Sequence, residues 1–287
     1  MKDNKIGILF ADILECGLTH EFFSRVLDSF KTYCEQEGFV IGFMNAQPKY
    51  LISHTFVDQL EEDEYAGVFV ANIGYDMPEV TALFKTGKPI VTVDFKTEGA
   101  ISITSDNMNG INDLINYVCN EKNHKKIAYI SGDPESEVSK TRLSAFKEAL
   151  TNNGIEVRSS YIRESRFRDI RDVTRKTEEL LNLPDPPTCI LFPDDYAAIG
   201  GINVIHNRGL EVPKDISYCG YDGISLVGLW DPQLATVVQD TDTMGVTAAR
   251  ELIRLIRDHE TGDGSEIVVP TKLQIGHTVS QMVYPDK

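Results

Sequence analysis

Acids and amides recur directly after short apolar runs along this chain. Asp12 follows residues 6–11, Asn72 follows 66–71 and Asp94 follows 90–93. In the second half Asp133 follows 127–131, Asp194 and Asp195 follow 189–192, and Asp222 closes the run that starts at 216. Asp and Asn open turns and cap helices, which accounts for roughly half of such positions. Their recurrence in both halves is what capping leaves over. Two such faces opposed across a hinge would form a cleft rich in carboxylates and poor in cations. Carboxylates only accept hydrogen bonds, so that lining suits the hydroxyls of a neutral polyol or sugar better than a phosphate or an acid. Arg142, in the helix-opening segment Ser139-Lys140-Thr141-Arg142, could aim its planar fork at ligand oxygens and balance nearby aspartates. An exposed helical Arg is the commoner outcome of that spacing. Phe22, Phe23 and Trp230 could stack on a sugar ring, although aromatics at such places are more often core. Of the three, Trp230, beside Asp231-Pro232, reads as exposed.

Enzyme signatures are missing. There is no G-x-G-x-x-G after the first apolar run, no phosphate-binding P-loop and no G-x-S-x-G elbow. The six histidines show no H-x-H or H-x-x-x-H spacing, so neither a metal site nor a catalytic set is expected, and no cofactor is called for. Asp240-Thr241-Asp242-Thr243 resembles a paired-aspartate phosphatase motif but carries Met244 where a hydroxyl would be needed. It reads better as a crossing followed by a helix N-cap. The acidic run 61–64 reads as a solvated loop before a strand.

These residues need elements to hold them. Apolar runs at 6–11, 39–44, 66–71, 90–93, 127–131, 189–192 and 216–221 alternate with helix-like stretches at 21–37, 109–121, 141–152, 174–183, 197–207 and 244–259. That alternation predicts βαβ units around parallel sheets. Gly38, Gly154 and Gly209 stand at expected helix stops. About twelve elements are too many for one small sheet, so two α/β lobes are expected. No flexible linker separates them, and 101–106, 236–240 and 267–275 are the candidate crossings. The lobes are expected to comprise 1–105 with 239–265, and 106–238 with 266–287.

Composition narrows the classes. The chain has 287 residues, 28 Lys and Arg against 44 Asp and Glu, and a formal net charge of −16. Non-specific DNA affinity comes from cations neutralising phosphates, so this chain should not hold DNA unaided. No apolar run is long enough to span a bilayer, and no secretory leader is recognisable. Five scattered cysteines without a C-x-x-C argue for a reducing compartment, and a cytoplasmic protein is expected.

The stretch Gly209-Leu210-Glu211-Val212-Pro213-Lys214-Asp215-Ile216-Ser217-Tyr218-Cys219-Gly220-Tyr221-Asp222 resembles the signature of the lactose/galactose repressor (LacI/GalR) family. Further stretches agree in order: Ile6-Gly7-Ile8-Leu9 with Glu21-Phe22-Phe23, Asp106-Asn107 with Gly110, and Lys126-Ile127-Ala128-Tyr129-Ile130 followed by Arg142. Asp195 with Ala198 and Gly200, and Pro232 with Leu234, Thr236 and Val237, complete the pattern. The resemblance implies two Rossmann-like lobes joined by three crossovers, the type I periplasmic-binding-protein-like fold. It also implies a homodimer, a sugar-like effector in the interlobe cleft, and operator DNA reached through a helix-turn-helix head that would precede Lys5 and is missing here. Carried over by position, the effector contacts would be Asp94, Arg142, Asp194 and Asp222, with Phe22 and Trp230 as stacking walls and Gln239 at a crossing. Asp194 stands where the family usually has Asn, which turns a two-way amide into an acceptor-only anion. The alternative function is a solute-binding receptor of a sugar ABC transporter, which shares the architecture but requires export.

Overall fold

A computed structural model describes residues 4–10, 17–72, 77–229 and 231–284. Its contacts divide the chain into two units, one running to Ser105 and resuming over Asp240–Val269, the other comprising Asp106–Gln239 and the chain from Pro270. Elements are numbered in chain order. The first unit is built on a sheet in the order β2 (Val40–Phe43), β1 (Lys5–Phe10), β3 (Gly67–Ala71), β4 (Ile90–Val93), β5 (Ile101–Ser105) and β11 (Glu266–Val269). All of its pairs are parallel. The second sheet has the order β7 (Ile162–Glu164), β6 (Ile127–Ser131), β8 (Cys189–Leu191), β9 (Ser217–Asp222), β10 (Ala235–Gln239) and β12 (Thr271–Gln274). Only β12 runs antiparallel to its neighbour. The two Rossmann-like lobes with three crossovers expected from the sequence are the observed fold, the passages falling after Ser105, Gln239 and Val269.

Strands buried on both faces need apolar side chains in both directions. In β1, Ile6 and Ile8 enter the core beneath α1 (Glu21–Gln36) and α9 (Thr241–Asp258), while Leu9 enters the core shared with α3 (Phe56–Glu62) and α4 (Pro78–Phe84). In β6, Ile127 and Tyr129 join the core of α5 (Asn107–Asn116) and α6 (Glu137–Asn152). Ala128 and Ile130 join that of α7 (Ile170–Leu181) and α8 (Asp195–Asn207). Each large apolar side chain taken from water in this way favours the fold by about 2 kcal/mol.

Residues 266–269 were expected to open the second lobe, yet Ile267 lies opposite Ile103 and Val269 opposite Ser105, so they complete the first sheet. Pro270 ends that strand, and β12 joins the second sheet beside β10. The helices α3 and α4, the single turn α2 (Pro48–Leu51) and the strand β7 are additions to the sequence expectation. Thr55 and Asp58 form a reciprocal capping box that starts α3, and Glu61 and Glu62 finish that helix rather than lying in a loop. The stops at Gly38, Gly154 and Gly209 all hold positive φ, where a residue without Cβ is unstrained.

Candidate functional site

In a parallel sheet, loops at the carboxyl ends of the strands gather beside helix N-termini. The second unit places its polar cluster there. Arg142, 3% exposed, projects from the second turn of α6. Its Nε donates to Asn107 Oδ1 at 2.8 Å, and its Nη1 to the Pro193 carbonyl at 3.4 Å. The guanidinium lies 3.5 Å from the centroid of the Tyr221 ring, with Phe167 at 5.8 Å. A cation over an aromatic face is held by the ring quadrupole without losing its in-plane donors. Gly110 on α5 permits this arrangement, because a Cβ there would come within 2.7 Å of the Tyr221 hydroxyl. The Arg is buried and fixed, not the exposed helical residue that spacing alone favours.

Asp222 ends β9 with φ +107 and is half-buried. Gln239, at the end of β10, donates from Nε2 to Asp222 Oδ1 at 2.7 Å. Gln239 is 5% exposed, and its Oε1 has no hydrogen-bond partner among the described residues. Enclosure by the protein raises the Asp222 carboxyl well above the usual carboxylate range; Arg142 opposes that, while Asp194 and Asp195 reinforce it.

Asp194 and Asp195 are both fully enclosed. Asp194 caps α8, accepting from Ala197 N at 2.7 Å, and its other oxygen accepts from Arg168 N at 2.7 Å. Its carboxyl is raised by burial, against the pull of those two N–H groups and of Arg168 and Arg142. Asp195 binds the Thr236 hydroxyl at 2.6 Å and the backbone N–H groups of Gly223 and Ile224 at 2.7 and 3.1 Å. It ties the start of α8 to β10 and to the loop after β9, and burial pushes it up to about 7. Both oxygens of Asp194 thus hold backbone, and its first task is to shape the loop and the helix start.

In the first unit Asp94 follows β4 with φ +56 and accepts from Thr104 Oγ1 at 3.0 Å. Its place resembles that of Asp222: one carboxyl group stands just after, the other at the end of, the fourth strand of the shared order, and each takes a donor from the strand beside it, β5 or β10. Phe22 departs from the stacking role expected of it. Its ring is 5% exposed and packs into the core with Val26 and Phe30. Phe22, Val26, Phe30 and Cys34 recur every four residues, the signature of one buried helical stripe. The neighbouring Phe23 keeps partial exposure and meets Phe10 and His20 edge-on. Trp230 lies outside the described residues.

Asn107 and Tyr221, which set Arg142, were not among the site residues expected from the sequence, although both fall within the family-like motifs. Asn107 begins a helix at the end of a strand, the same signal that singled out the aspartates. Among the described residues no group of three or more His, Cys, Asp or Glu could hold a metal ion, and no helix is long and apolar enough to cross a membrane. A groove of about 440 Å³ between Leu181, Pro187, Arg208, Leu210 and Ile216 lies toward the amino ends of β8 and β9, away from the cluster. Its charged residues are already held, Arg208 by Asn182 and Asp215 by the Glu211 N–H.

Two mostly parallel sheets with alternating helices, carrying this buried cation and these enclosed carboxyl groups, form the type I periplasmic-binding-protein-like fold. The chain belongs to the periplasmic binding protein-like domain family, whose model matches residues 119–279. The HTH-type transcriptional repressor CytR of Escherichia coli (strain K12) is 27% identical over 251 residues, covering 86% of this chain and 72% of CytR. The transcriptional regulator LacI from Bacillus cereus subsp. cytotoxis NVH 391-98 superposes with a TM-score of 0.86 at 22% identity, over 98% of this chain and all of that one. A LacI family transcriptional regulator from Enterococcus faecium with bound ribose gives 0.81 at 23% identity, over 97% and 100% of the two chains. The LacI/GalR resemblance read from the motifs agrees with these relatives.

Proposed function

We propose that this chain is the effector-sensing part of a LacI/GalR-type transcriptional regulator and that its effector is a sugar or sugar derivative. Arg142, Asp194, Asp222 and Gln239 would contact the effector in the second unit, and Asp94, at the matching position of the first sheet, belongs to the same proposal. The observation that carries it is Arg142, buried yet held by Asn107 and Tyr221 beside Asp222 and its Gln239 donor. Such a preset polar cluster at strand ends is what recognition of hydroxyls requires. The repressor relatives and the ribose of the Enterococcus faecium structure support the reading. Binding would shift a conformational equilibrium in a cytoplasmic homodimer and change how a helix-turn-helix head engages operator half-sites. The acidic charge of −16 accords with DNA affinity residing in that head.

The test is a thermal-shift and calorimetric screen of the protein against hexoses, pentoses, sugar phosphates, polyols and nucleosides. A ligand at about 100 times its Kd adds about 2.7 kcal/mol of stability. A hit that Asp222→Ala abolishes supports the site. A sugar hit indifferent to Arg142→Ala and Asp222→Ala refutes the site assignment, and turnover of a bound sugar refutes the sensing role.

A further inference from the structure

The cluster on the second unit crowds carboxyl groups together and, among the described residues, leaves a buried acceptor unmet. Three carboxyl groups, Asp194, Asp195 and Asp222, stand within electrostatic reach of one another; burial raises all three and the crowding adds to it at Asp195 and Asp222, while Arg142 opposes the rise at Asp194 and Asp222 and Arg168 opposes it at Asp194. Arg142 is committed to Asn107, the Pro193 carbonyl and the Tyr221 ring, and the Arg168 guanidinium lies 4.2 Å from the Tyr196 centroid. On the other side stand acceptors. Gln239 Oε1 is buried with no donor among the described residues, and its amide nitrogen fixes the orientation by bonding Asp222. A lone hydroxyl supplies one donor and brings lone pairs that need donors of their own. An ammonium supplies three donors, no lone pair and a positive charge.

We infer that the effector carries a protonated amine, an amino sugar or aminopolyol whose ammonium donates to Asp222 and Gln239 Oε1. This rests on the sugar reading above and narrows it. An ammonium beside Asp222 favours the ionised form of that raised carboxyl, and hydrogen bonds from an ionised donor to a carboxylate are about twice as strong as neutral ones, so the amine gains where a hydroxyl at the same carbon does not.

Calorimetry would compare D-glucosamine, D-galactosamine and D-mannosamine with D-glucose, D-galactose and D-mannose. At least one amine should bind about tenfold more tightly than its neutral counterpart, a difference of about 1.4 kcal/mol. Asp222→Asn, which keeps an oxygen for the Gln239 amide, should remove that preference. Gln239→Met gives a second route to the same readout that leaves every carboxylate in place. A neutral sugar that binds as well as or better than its amine overturns the inference and leaves the sugar reading standing. Absence of binding by all six compounds counts against both, and hits confined to other classes of the wider screen would then show that the sugar reading itself has failed.

Discussion

The Arg142 guanidinium lies 3.5 Å from the centroid of the Tyr221 ring while its Nε donates to Asn107 at 2.8 Å. A side chain of α6 is thereby fixed against both the penultimate residue of strand β9 and the first residue of α5. The cation is set before any ligand arrives, so binding need not order a long flexible side chain.

Arg142→Lys keeps the charge but loses the planar fork and the face-on seat over Tyr221. It should weaken sugar binding by at least tenfold, about 1.4 kcal/mol, as read by calorimetry. Arg142→Ala should also lower stability by about 3 kcal/mol, because Asn107 Oδ1 and the neighbouring carboxylates lose their cation. A denaturant midpoint unchanged by Arg142→Ala would contradict the fixed arrangement.

Asp195 ties three segments together, and its folded carboxyl titrates near 7 against an ordinary value of 3.8. Between those limits the folded state holds a proton that the unfolded state has released. Stability from this group is therefore fullest below about pH 4 and is lost as pH rises to about 7. Thermal midpoints measured from pH 5 to 8 should fall as pH rises toward 7, and Asp195→Asn should flatten that slope. An identical slope in the variant would show that other acids dominate.

Gly245 lets α9 approach α1: a Cβ there would lie 2.1 Å from Ser29 Oγ and 2.3 Å from the Val26 carbonyl. Backbone on one side leaves little room to yield. Gly245→Ala should cost about 1–3 kcal/mol despite its better helix propensity, whereas Gly228→Ala, with open space around it, should cost far less. Urea midpoints of the two variants decide the point.

Cys34, Cys119, Cys189 and Cys219 are buried and free. Burial pushes the Cys34 and Cys119 thiols up to about 12, far from the thiolate that reacts. In a Cys16→Ser background the native protein should therefore react negligibly with a disulfide reagent such as DTNB, and four thiols should appear in guanidinium. Rapid labelling of the native variant would show that a core opens easily.

The fold was legible because its signals are local and repeated. Buried parallel strands must be short apolar runs, and the acids after them mark the helix starts, as Asp106, Asp194 and Asp240 do by capping α5, α8 and α9. The candidate site was legible to the extent that it uses the same strand-end positions, as with Asp222 and Gln239, whereas Arg142, inside α6, stood out only through its motif. It was illegible where one residue type serves two purposes. Asp194 and Asp195 are adjacent in sequence and alike in chemistry, yet only the hydrogen-bond map shows Asp195 bridging β10 and the loop after β9. Phe22 was misread because neighbouring rings on one helix turn differ by a rotation that a motif match ignores. The short strand β7, three residues long, offers too little periodicity to detect.

The stretch from Asp240 onward supplies α9 and β11 to the first unit and β12 to the second. During synthesis, then, the first sheet waits with the α1 side of its core uncovered while the whole middle of the second unit emerges. Neither unit can finish before this late segment emerges, since both are completed by it, the first at Val269 and the second beyond Pro270. A ribosome paused before Asp240 would hold two unfinished cores with exposed apolar faces, the condition under which chaperones engage a chain.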